Sequence, residues 1–132
     1  MQHINDCFVC GTDNQQGLKV SFKVMDGALE GEFTPNKNHQ GPRNLIHGGL
    51  ICALLDEAMA TLINQSLNEV APTVSLEVRF KRPARINEKL IIKANLTSHE
   101  RRIKSAQATC EREDGTIVAQ ATGKFLNSFE LA

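Results

Sequence analysis

The run His47–Leu67, HGGLICALLDEAMATLINQSL, has the apolar density of a helix buried on most of its sides. At about 100° per residue, Asp56 shares a stripe with Cys52, Ala53, Met59, Ala60, Ile63 and Leu67. Glu57 falls instead with Thr61, Asn64 and Gln65, so it is expected to be a solvated surface acid. Asp56 is the acid out of place. A carboxylate among apolar neighbours is costly unless it is paired or used in chemistry. It either holds a neighbouring loop, pairs with an arginine, or reacts. The glycine pair at the helix start bears on that choice. Glycines let backbone N–H groups approach a developing negative charge closely. An amide cradle at the helix start and an acid about two turns later suit acyl transfer.

Strand patterns flank the helix on both sides. Leu18, Val20, Phe22 and Val24 alternate with polar residues up to the Asp26-Gly27 turn, and Leu29, Gly31 and Phe33 continue as a second strand to Pro35. A polar loop with Gly41-Pro42 as breakers leads to the helix, from about Gly48 to about Leu67. Beyond it, Val74, Leu76, Val78 and Phe80 alternate strictly with Ser75, Glu77, Arg79 and Lys81, and Pro83 ends the strand. Residues from about 88 to 98 and from about 101 to 113 form a hairpin around His99-Glu100, and Asp114-Gly115 turns the chain into TIVAQATGKFL. Short turns are expected between successive strands everywhere except across the helix. The whole chain, 1–132, reads as one α+β domain, an antiparallel sheet of about six strands wrapped around one long central helix.

Composition removes several function classes. Fifteen basic and fifteen acidic residues cancel, which gives no reason to expect nucleic acid or an anionic membrane as a partner. The absence of Trp and Tyr leaves few platforms for stacking single-stranded bases. No uninterrupted apolar run approaches membrane-spanning length, and MQHINDCFVC lacks the basic-then-apolar pattern of a signal peptide. The cytoplasm is the expected compartment, with the four cysteines as thiols rather than disulfides.

These elements in this order, with FTPNKNHQG at 33–41, the spacing of His47, Gly48, Gly49 and Asp56, and VSLEVRFKRPA at 74–84, resemble the hotdog fold. More narrowly, the chain from CFVCG to GKFL resembles the acyl-CoA thioesterases of the phenylacetate-degradation type, the PaaI-like group. The resemblance implies hydrolysis of acyl-CoA thioesters to free acid and CoA. It implies that Asp56 activates a water or attacks the thioester carbonyl itself, that the Gly49 N–H donates to the thioester oxygen, and that His47 orients the loop. A hydroxyl near the start of the strand after the helix holds the attacking water; Ser75 matches one branch of the group and Thr73 another. An asparagine that some relatives carry six residues before the histidine is Gly41 here, which leaves Asn44 as the nearby amide. Gly48, Thr73, Asn44, Lys81, Arg82 and Arg102 are the substrate-binding residues that follow. Sites in this group lie between subunits, so a homodimer or homotetramer is implied.

The chemistry agrees with the resemblance. A thioester carbonyl is electrophilic and its thiolate leaves readily, so one base and one oxyanion donor set serve better than a full triad. No Gly-x-Ser-x-Gly elbow is present. Arg43, Lys81, Arg82, Arg85, Arg101 and Arg102 lie near the expected mouth, where forked contacts suit coenzyme phosphates; each is equally a solvated turn residue. No cofactor is expected beyond the coenzyme A of the substrate. Cys7-x2-Cys10 invites a zinc reading, but His3, His39 and Cys110 lack the spacing of a second ligand pair. The pair is therefore expected to pack as small hydrophobes, with no metal. Cys52 is expected to line the pocket. Two other readings stay open: a non-catalytic acyl-CoA binder, and a dehydratase or hydratase of the same fold. The latter usually needs a differently placed His/acid pair.

Overall fold

In the computed structural model, residues 6–68 and 70–126 are described. Two short strands, β1 (Phe22–Met25) and β2 (Ala28–Phe33), precede a 3₁₀ turn and the helix α1 (Gly48–Leu67). Four strands follow: β3 (Thr73–Phe80), β4 (Leu90–His99), β5 (Ile103–Arg112) and β6 (Ile117–Leu126). All six form one antiparallel sheet in the order β1-β2-β4-β5-β6-β3. This is the hotdog arrangement. The helix packs against every strand, and Leu54, Leu55, Met59, Leu62 and Ile63 are sealed between it and the sheet. By length and mean hydropathy alone (1.2) α1 would suffice to cross a membrane, but here it is the core helix of the domain.

Local chemistry explains the helix ends. His47 is the N-cap, with extended backbone and a ring nitrogen that accepts the Gly49 N–H. Asn68 ends the helix in the left-handed region at φ 54°, a conformation asparagine tolerates better than most side chains.

Three details differ from the sequence expectation. The first strand starts at Phe22 rather than Leu18, because Lys19 adopts φ 55° and the flanking amides pair elsewhere. Leu18 and Val20 donate to the Phe8 and Val9 carbonyls, which fastens the segment before β1 to the N-terminal loop. The hairpin between β4 and β5 turns at residues 100–102, with His99 still in β4. Most consequentially, β3 is not beside β4. A strand has two edges, and those of β4 are taken by β2 and β5. The chain therefore crosses the sheet end through residues 81–89, and β3 pairs with β6 at the sheet margin. One edge of β3 has no strand beside it among the described residues, and Val74, Leu76 and Phe80 are 57%, 37% and 52% exposed.

Candidate active site

The register of β3 against β6 decides which hydroxyl meets the helix. Ser75 lies opposite Lys124, Glu77 opposite Thr122 and Arg79 opposite Gln120, all on the outer, polar face. Leu76 and Val78 lie opposite Gly123 and Ala121, on the face toward the helix. Regular alternation would leave Thr73 on the outer face with Ser75. A bulge between Thr73 and Ser75 turns it instead, and Thr73 lies opposite the fully buried Phe125. Its Oγ1 donates to Asp56 Oδ1 at 2.7 Å. The structure thus brings Thr73 to the helix acid and leaves Ser75 on the far side of the sheet.

Asp56 is half-buried, and the Thr73 hydroxyl is its side-chain partner among the described residues. Glu57 corrects the expectation of a solvated acid. The N-terminal loop folds over it, so that Cys7 Sγ donates to its Oε1 (3.4 Å) and Thr61 Oγ1 to its Oε2 (3.0 Å). Burial raises the affinity of this carboxylate for a proton, against the lowering effect of those two hydrogen bonds. Burial likewise pushes the Cys52 thiol up, and the charge of Asp56 one turn away adds to it, which suits pocket lining rather than a nucleophile.

At the helix start, His47 Nδ1 accepts the Gly49 N–H at 2.8 Å, so the neutral ring carries its proton on Nε2. The Gly48 N–H has no partner among the described residues. Of the two glycine amides, it is Gly48's that is free, while Gly49's is held by the cap. His47 itself is placed by its N–H to the His39 carbonyl (2.9 Å). A Cβ at Gly41 would lie 3.1 Å from His47 Cα, so this position favours glycine. Asn44 stands in the same loop at φ 62°, with its backbone tied to Gln40 and Ile86.

Gly48 opens onto a cleft of about 340 Å³, lined also by Ile51, Phe80, Lys81, Arg82 and Pro83. Phe80 forms a wall there, its Cζ 3.5 Å from where a Gly48 Cβ would stand. Sequence reading missed this ring because its role depends on the sheet order. Lys81 and Arg82 are exposed, with both backbone amides donating to the Val118 carbonyl. Arg102 lies in the β4–β5 turn, near the Thr73 end of the sheet and away from Lys81 and Arg82. A larger hollow of about 1220 Å³ runs across the outer sheet face among Lys23, Glu30, Lys93, Gln107 and Arg79. It lies on the other face from α1 and is lined by none of Asp56, Gly48 and Gly49.

Within one chain, Asp56 and Gly48 are eight residues apart on a straight helix, about 12 Å along its axis. A base and an oxyanion donor that serve one carbonyl each stand about 3 Å from it or its water. Asp56 and Gly48 of the same chain are therefore too far apart to share a carbonyl.

Among the described residues, Cys7, Cys10 and Glu57 are able to hold a metal ion, since one ligand atom from each lies within 4.8 Å of the others. Burial pushes the Cys10 thiol up to about 12, with the neighbouring Cys7 and Glu57 adding to it. His39 caps the 3₁₀ turn and Cys110 is buried in β5, away from this cluster, and His3 lies outside the described residues.

The sequence pattern of the thioesterase superfamily matches residues 43–119, more than half of the chain, and the chain belongs to that family. No curated protein matches it. Among solved structures it is similar to a thioesterase superfamily protein at 26% identity and TM-score 0.85, covering 92% of this chain and 63% of that one. The chain thus spans less than two thirds of that relative's length. It is also similar to a phenylacetic acid degradation-related protein from Ralstonia eutropha JMP134, at 25% identity and TM-score 0.76, covering 83% and 85% of the two chains. At 18% identity and TM-score 0.77 it shares its fold with smu.793 of Streptococcus mutans UA159, solved bound to acetyl CoA, with 84% and 90% covered.

Proposed function

We propose that the protein hydrolyses acyl-CoA thioesters to a free acid and CoA, at sites formed between two copies of the chain. The observation that carries this reading is the Thr73–Asp56 hydrogen bond beside an apolar strand edge that has no neighbour among the described residues. It holds one lobe of a helix carboxylate and leaves Oδ2 for a water. The water oxygen attacks the thioester carbonyl carbon as its proton passes to Asp56. The oxyanion is met by the Gly48 N–H, and by the Gly49 N–H when the His47 ring turns off it. Collapse breaks the carbon–sulfur bond, and the Asp56 proton returns to the departing thiolate. Direct attack by Asp56, through an anhydride that water then cleaves, uses the same groups. Water and the thioester are the only reactants.

The second copy removes the 12 Å difficulty. Antiparallel pairing of β3 with its symmetry mate, centred near Leu76 and Glu77, would set Thr73 of one chain opposite the partner's Phe80. That places Asp56 near the partner's Gly48 cleft and buries Val74, Leu76 and Phe80. It also brings the partner's Lys81 and Arg82 toward the Arg102 end of the sheet, where coenzyme phosphates would be met. Ser75 stays on the outer face in this pairing. The acetyl CoA bound to smu.793, on the same fold, favours a coenzyme thioester as ligand. The four free thiols suit a reducing compartment such as the cytoplasm.

The test is a panel of acyl-CoA substrates with a thiol-trapping reagent. Release of free CoA that depends on Asp56 supports hydrolysis. Binding without CoA release would assign a non-catalytic acyl-CoA binder. Turnover that leaves the thioester intact would assign a dehydratase or hydratase.

A further inference from the structure

Cys7, Cys10 and Glu57 form a cluster that the proposed hydrolysis does not use. Cys7 and Cys10 come from one tight N-terminal turn, closed by the Gly11 N–H to the Cys7 carbonyl at 2.8 Å. Within it the Cys10 backbone N–H donates to Cys7 Sγ at 3.4 Å. Glu57 reaches the pair from the middle of α1, forty-seven residues beyond Cys10, a separation that hides it from any spacing rule.

The distances fit a tetrahedral ion. Metal–sulfur and metal–oxygen bonds of about 2.3 and 2.0 Å, at the tetrahedral angle, put neighbouring S and O ligands about 3.5 Å apart. Cys7 Sγ and Glu57 Oε1 are 3.4 Å apart, and the three ligand atoms together span no more than 4.8 Å. The second oxygen of Glu57 is already held by Thr61 Oγ1 at 3.0 Å, which aims Oε1 at the sulfurs. Outer partners of this kind orient metal-ligating carboxylates.

We infer that Cys7, Cys10 and Glu57 bind one tetrahedral, thiophilic divalent cation of the zinc class, with water as the fourth ligand. Two sulfurs and one oxygen select against calcium and magnesium, which prefer oxygen ligands alone. The ion would pin the loop at Cys7–Cys10 to the helix at the residue next to Asp56. That is a structural and positioning role, and it stands whether or not the hydrolase reading holds.

The test titrates cobalt(II) into reduced, chelator-stripped protein. The expected result is one equivalent per chain, with thiolate-to-cobalt charge-transfer bands and the intense visible bands of a tetrahedral ion, both abolished by zinc. Cys7→Ser/Cys10→Ser should lose the charge-transfer bands although Cys52 and Cys110 remain. Glu57→Gln keeps both thiols and should bind at least about 10-fold more weakly, and Thr61→Val roughly 10-fold more weakly. Zinc should raise the Tm of the parent protein and not that of the double variant. Absence of charge-transfer bands in the parent protein, their persistence in the double variant, or unchanged affinity in Glu57→Gln would each overturn the assignment.

Discussion

Thr73 donates its hydroxyl to Asp56 across seventeen residues of chain, at 2.7 Å, because one bulge in β3 turns it toward the helix. The strand that supplies this hydroxyl also has an apolar edge with no strand beside it among the described residues. The proposed chemistry and the proposed assembly thus meet at one element.

Asp56 is the group on which the reaction depends. Asp56→Ala should lower kcat by about 10²–10⁴-fold. Its side chain is half-buried with one hydroxyl partner, so Tm should move little. Steady-state kinetics beside thermal melting checks both. A variant that keeps its kcat would place the chemistry elsewhere.

The two hydroxyls should separate. Thr73→Val removes the donor to Asp56 and should cost about 10-fold or more in kcat through lost positioning. Ser75→Ala acts on the outer face and should stay within about twofold. The reverse order would mean that the hydroxyl serving the water is Ser75.

The β3 edge should govern assembly. Leu76→Lys places a charge on an apolar strip that the proposed partner would cover, and charged residues block edge pairing. Analytical ultracentrifugation should show a dimer or larger for the parent protein and a monomer for the variant. Activity should fall with assembly. A monomer with full activity would contradict a site shared between chains.

Lys81 and Arg82 should act on the coenzyme end of the substrate. Remote contacts of this kind affect KM more than kcat. Arg82→Ala should raise KM for an acyl-CoA and spare the matching acyl-pantetheine. The difference should shrink in high salt, where the screening length falls below the roughly 8 Å of physiological ionic strength. Equal losses on both substrates would show that Arg82 shapes the protein instead.

His39 should make stability pH-dependent. Its Nδ1 accepts the Asn36 N–H at 2.9 Å, its ring lies 5.1 Å from that of Phe33, and burial lowers its pKa below the usual 6.5. In the window just below 6.5 the unfolded chain binds the proton and the folded one resists it. The stability this group contributes is present above 6.5 and is lost as pH falls through the lowered value. Tm measured from pH 7.5 to 5 should fall, and His39→Gln should flatten that slope.

Local sequence carried the element order, the helix from Gly48 to Leu67 and the turns at Asp26-Gly27 and Asp114-Gly115. Periodicity and turn chemistry are properties of a few neighbouring residues, so they can be read before any folding. The placing of Glu57 could not be. Its position on the helix said only which neighbours share its stripe, and the loop that covers it comes from fifty residues earlier. The same holds for Thr73 and Ser75. The alternation from 74 to 80 was plain, but Thr-Val-Ser bears no glycine or other mark of a bulge, and pairing with β6 supplies it. That β3 is an edge strand followed from β4 having both its edges occupied, which is a fact of the whole sheet. Sequence by itself therefore determined the parts and named the helix acid. Only the tertiary structure decided which hydroxyl meets that acid, which glycine amide is free and which thiols face Glu57, because each depends on contacts between segments far apart in the chain.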